Sequence, residues 1–90
     1  MDESELRTKQ EMMILEALVQ AIDRREEVFD AIGSSENLDE ANLRVSQLLG
    51  VGDNCSRAVL DMQARRFTRD QRQILASHVE ELRSKLSRAQ

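Results

Sequence analysis

Ninety residues carry 33% charged and 40% hydrophobic side chains, three Gly, no Pro and a formal net charge of -4. A chain of that length is one small domain, and its composition excludes a disordered tail and a turn-rich β-fold in favour of an all-α protein. No run of about 20 apolar residues is present to cross a bilayer, the acidic leader Met1-Asp2-Glu3-Ser4-Glu5-Leu6 is unlike a targeting segment, and a single Cys forms no internal disulfide, so the expected location is cytoplasmic.

The spacing predicts a first long helix over 4–32. Leu15, Leu18, Ile22, Arg25, Phe29 and Ile32 recur in steps of three and four, a seam of coiled-coil type interrupted at Arg25. Ile14, Ala21 and Val28 widen that seam, and Gly33 stands where a left-handed C-terminal cap ends the helix. At about 1.5 Å per residue such a helix is roughly 40 Å long, too long for a compact globule of this size. Asn37 and Glu40 then read as a capping box for a short helix with Leu38, Ala41, Val45, Leu48 and Leu49 on one face. Gly50-Val51-Gly52 breaks it, and Asp53 reads as the cap of the next helix.

The stretch Cys55–Thr68 shows two apolar stripes at about 100° per residue. Cys55, Ala58, Val59 and Met62 form one, and Leu60, Ala64 and Phe67 form the other, with Arg57, Asp61 and Arg65 between them at i, i+4 spacing. A surface helix needs a single stripe, so the second implies a second packing partner. Thr68-Arg69-Asp70-Gln71 reads as another capping box, opening a last long helix over 68–88 with Leu75, Val79, Leu82 and Leu86 as its seam. The expected architecture is a long antiparallel helical hairpin carrying a two-helix knob, residues 37–66, at its tip. Each stalk helix buries only one side, so association is expected to stabilise the chain.

The order and spelling of residues resemble the A subunit of bacterial type IIA topoisomerases, DNA gyrase and topoisomerase IV, in the coiled coil and its terminal gate. The resemblance runs through Ile14-Leu15-Glu16-Ala17-Leu18, Ala21-Ile22-Asp23, Glu27-Val28-Phe29, Ile32-Gly33-Ser34-Ser35, Glu40-Ala41 and Leu49-Gly50-Val51. Its specific part is Ala58-Val59-Leu60-Asp61-Met62-Gln63-Ala64-Arg65-Arg66-Phe67-Thr68, similar to the family's A-I-L-D-M-R-L-x-R-L-T. The resemblance implies a homodimer through the knob, with Val59, Leu60, Met62, Gln63, Ala64, Arg66 and Phe67 at the interface. The alternative that the resemblance implies is a modulator that pairs with or blocks the gate of a gyrase or topoisomerase IV A subunit. The sequence departs from the family at Ala64 and Phe67, and a changed surface with compensating volumes favours pairing with itself.

Catalysis is not expected. The family attaches DNA to a tyrosine, and this chain has none. Gly50-Val51-Gly52 lacks the lysine and spacing of a phosphate loop. His78 has no second His or Cys near it and reads as a helix-face residue. Cys55 reads as a small packed residue, and the pairs Glu26-Glu27 and Glu80-Glu81 diverge on their helices. No cofactor, metal or small-molecule ligand is expected. Arg57, Arg65, Arg66, Arg69 and Arg72 outnumber Asp61 and Asp70, so Arg65, Arg69 and Arg72 are candidates for weak, salt-sensitive DNA contact. With two Phe and neither Trp nor Tyr, there is no stacking platform for single strands.

Overall fold

The computed structural model describes residues 2–89, so Met1 of the acidic leader lies outside it. Five α-helices and one 3-10 turn follow in order: α1 Glu3–Asp23, α2 Arg25–Gly33, α3 Leu38–Leu49, α4 Asp53–Leu60, the turn Ala64–Phe67, and α5 Arg69–Ala89. No strand occurs among the described residues. Asp2 starts α1 by accepting a hydrogen bond from the Glu5 amide at 2.8 Å, and Glu3 and Glu5 in the first turn suit the positive end of the helix.

The long first helix expected from the spacing is two helices. Arg24, at φ -113 and ψ 36, separates α1 from α2. The last carbonyls of a helix lack intrahelical partners, and here side chains supply them. Arg25 Nε donates to the Ile22 carbonyl at 3.1 Å, and Arg25 Nη1 donates to the Phe67 carbonyl at 3.1 Å. Arg24 Nη1 donates to the Leu48 carbonyl at the end of α3 at 3.0 Å, and Gln20 Nε2 reaches the Leu49 carbonyl beside it at 3.0 Å. Asp23 accepts two bonds from Arg72 of α5, at 2.8 and 2.9 Å. Three consecutive residues therefore tie the joint to α5, α3 and the 3-10 turn. The interruption of the seam at Arg25 marks the place of the joint but not these partners.

The left-handed cap also falls elsewhere. Gly33 is the last residue of α2, and Gly50, at φ 67, closes α3 in the left-handed region. Asn37 caps α3 as expected, accepting from the Glu40 amide at 2.9 Å. Glu40 returns to the Glu36 amide at 3.3 Å, one residue before the position a capping box requires. The box at Thr68 is replaced by donation: its hydroxyl points to the Arg65 carbonyl (3.1 Å) and to Asp70 Oδ1 (2.6 Å). Asp53 is the first residue of α4, with Gly52 at the cap.

Residues 55–68 are not one helix. α4 ends at Leu60, Gln63 is extended, and Ala64–Phe67 form the 3-10 turn against α5. A continuous helix would project Leu60, Ala64 and Phe67 along one outward stripe. The break instead brings the Phe67 ring to 5.1 Å from Phe29, while Leu60 and Met62 both rest on the core. The helix with two packed faces is α1. It lies on α5, whose Leu75, Val79 and Leu82 are buried, and on α4 with Ala17 and Ala21. Those alanines, with Val28, Val45, Leu49, Cys55 and Val59, form the main apolar cluster. Asp23–Arg72 and Glu16–Arg83 rise along α5 as they fall along α1, so the two helices run in opposite directions.

Candidate interaction surface

The seven residues expected at a dimer interface occupy different layers. Val59 is 3% exposed and belongs to the interior. Leu60 and Met62 are half-buried and rest on the same apolar cluster. Gln63 and Ala64 are exposed, Gln63 accepting from Arg65 Nε at 2.7 Å. Arg66 and Phe67 are half-buried. The exposed members are thus Gln63 and Ala64, with Arg66 and Phe67 half-buried beside them. Sequence reasoning missed Phe29, which is half exposed and supplies the partner ring for Phe67. The signal available for it was composition: the chain has only two aromatic rings, and both lie in this patch.

The arginines divide in the same way. Arg72 is held by Asp23, whose carboxyl sits below its ordinary range chiefly because Arg72 hydrogen-bonds it. Arg65 is tied to Gln63, and Arg69 is exposed at the start of α5. Of the candidate DNA contacts, then, Arg72 is engaged within the fold.

A polar network joins α3 to α4. Ser56, fully buried, donates its hydroxyl to Asn42 Oδ1 at 2.6 Å, with the Asp53 carbonyl a second acceptor at 3.0 Å. Asn42 Nδ2 donates to Asp53 Oδ1 at 2.6 Å, and Arg57 Nε donates to Asp53 Oδ2 at 2.8 Å. Hydrogen bonds first from Arg57 and then from Asn42 hold the Asp53 carboxyl below its ordinary range. Cys55 is 8% exposed, and burial pushes its thiol up, away from a nucleophile's range. His78 lies 3.6 Å from Glu11 on the exposed flank of α1 and α5. Among the described residues, no group of three His, Cys, Asp or Glu is placed to hold a metal ion, and no helix is long and apolar enough to cross a membrane.

The described residues form an all-helical module in which the rings of Phe29 and Phe67 meet beside the 3-10 turn. No family model matches the chain. Comparison with characterised proteins does: the DNA gyrase A subunit of Mycobacterium leprae is 42% identical over 60 residues, 67% of this chain and 5% of the relative. The DNA gyrase A subunits of Mycolicibacterium smegmatis and of Mycobacterium tuberculosis are each 32% identical over 74 residues, 82% of this chain and 9% of the relative. The chain is a homologue of a segment of the DNA gyrase A subunit. It spans 5–9% of the length of these relatives.

Proposed function

We propose that the chain is a non-catalytic self-association module of the gyrase A gate type. In this reading α1 and α5 are the stalk, and α2, α3, α4 and the 3-10 turn are the knob that meets a second copy. The observation that carries it is the homology to gyrase A over a segment that includes the 3-10 turn, together with the exposure of Gln63 and Ala64 beside the half-buried Arg66 and Phe67. The non-catalytic part is supported by the small share of gyrase A that is matched and by the absence of Tyr from the sequence. Val59, Leu60 and Met62 support the surface from beneath. Sedimentation equilibrium tests the reading: a dimer at tens of micromolar is expected, and a clean monomer there overturns it.

The 42% identity to a gyrase A segment also favours a second reading, pairing with a full-length gyrase or topoisomerase IV A subunit. Capture of the purified full-length protein on the immobilised chain supports it. A homodimer that captures none removes it. Arg65 and Arg69 are the residues left for weak DNA contact, and their contribution is expected to vanish steeply with salt.

A further inference from the structure

Between α4 and α5 the chain crosses as a strap, residues 61–68, and none of these residues is buried. Both ends are anchored: Val59, just before it, is 3% exposed, and Arg72, just after it, donates twice to Asp23 of α1. The hydrogen bonds inside the strap are short-range, among them the Arg66 amide to the Gln63 carbonyl at 2.9 Å and the Thr68 hydroxyl to the Arg65 carbonyl at 3.1 Å. Met62 rests on the apolar cluster, the 3-10 turn lies against α5, and Phe67 is held twice by α2. Its ring sits 5.1 Å from that of Phe29, and its carbonyl accepts from Arg25 Nη1 at 3.1 Å. Arg25 and Phe29 stand at i, i+4 spacing on α2, one above the other on the same face. A segment with few buried contacts and solvent-facing hydrogen bonds is the part of a fold that opens at least cost.

We infer that residues 61–68 are a latched strap, which opens as a unit while the helices on either side stay folded, and that Arg25 and Phe29 are its latch. Arg25 suits the role because its Nε is already committed to the Ile22 carbonyl at the end of α1, 3.1 Å away. The planar guanidinium is thereby fixed, and its Nη1 meets the Phe67 carbonyl with little further loss of freedom. Opening leaves Val28 and Val59 in the core and uncovers Phe29, Met62 and Phe67 together. The latch thus decides whether this end of the molecule presents apolar side chains to its surroundings. A single copy suffices for this motion, which is independent of self-association.

Trypsin reads the motion directly, because Arg65 and Arg66 lie inside the strap while Arg44 and Arg57 lie inside α3 and α4. When opening is fast relative to cleavage, the rate of each cut follows the population of its open form. Digestion is run at sub-micromolar chain, and mass spectrometry identifies each cut. In the wild type, the cuts after Arg65 and Arg66 should precede those after Arg44 and Arg57. Arg25→Gln and Phe29→Leu should each speed the strap cuts by about threefold or more relative to the Arg57 cut, the loss of one net interaction. Arg24→Gln removes the bonds to the Leu48 carbonyl and to Glu27 at the same joint, and should leave that ratio unchanged. Strap and helix cuts at one common rate in the wild type overturn the separate opening. A ratio unmoved by Arg25→Gln, or moved equally by Arg24→Gln, overturns the latch. A wild-type monomer in sedimentation overturns self-association and leaves the strap standing.

Discussion

Ser56→Ala probes the contact that sets α4 against α3. The hydroxyl is fully buried and donates to Asn42 Oδ1 at 2.6 Å, and Asn42 is itself 9% exposed. Its removal leaves that oxygen without its donor in a site closed to water. A buried acceptor left unpaired costs about 1–3 kcal/mol. Ala is the better helix former by roughly 0.5 kcal/mol, which offsets part of the loss. The expected net destabilisation is about 1–2 kcal/mol, a fall in melting temperature of roughly 4–16 °C for a domain of this size. Urea unfolding followed at 222 nm measures it, at one fixed protein concentration because association shifts apparent stability. The double variant Asn42→Leu with Ser56→Ala removes both partners, so its cost should fall short of the sum of the single costs by at least about 0.5 kcal/mol. Wild-type stability for Ser56→Ala, or strict additivity in the cycle, would refute the claim that this bond holds the two helices.

Gly33 and Gly50 should respond with opposite sign. Gly33→Ala is expected to stabilise by about 0.5 kcal/mol, because Gly33 is helical and an added Cβ meets nothing within 4 Å. Gly50→Ala should cost about 1–2 kcal/mol, since its φ of 67 strains any L side chain; thermal melts of the pair compare them directly. Ile22→Ala, at a fully buried site, should cost about 2–5 kcal/mol, and chemical denaturation showing less than about 1 kcal/mol would contradict the burial of this side chain. Acid should destabilise the fold. Asp23 (Arg72), Glu27 (Arg24), Asp53 (Arg57, Asn42) and Asp70 (Thr68) all have carboxyls lowered by hydrogen bonds to the partners named. A group whose folded pKa is depressed contributes stability above its unfolded pKa and loses it as pH falls through the folded one. Stability should therefore decline progressively below about pH 5, and Asp23→Asn should flatten that decline. A denaturation midpoint independent of pH between about 5 and 2 would refute the linkage.

Much of this protein was legible in the sequence because helices write themselves as periodicity. The steps Leu75, Val79, Leu82 put the inward face of α5 in place, Asn37 marked the start of α3, and the residues from Ala58 to Thr68 pointed to the gyrase A segment. Periodicity alone did not reveal the break at Arg24: Arg25 interrupts the seam, but its steps of three and four resume at Phe29 and Ile32. That break depends on carbonyls of α3 and the 3-10 turn, far away in sequence, that accept from Arg24 and Arg25. Nor did it show that the stripe from Leu60 to Phe67 is folded up rather than extended along one helix. Local spacing fixes which residues can share a face of a helix. Whether that helix continues is decided by what its end groups meet in three dimensions, and here tertiary packing moved the second apolar face from residues 55–68 to α1 and left Phe67 packed against Phe29.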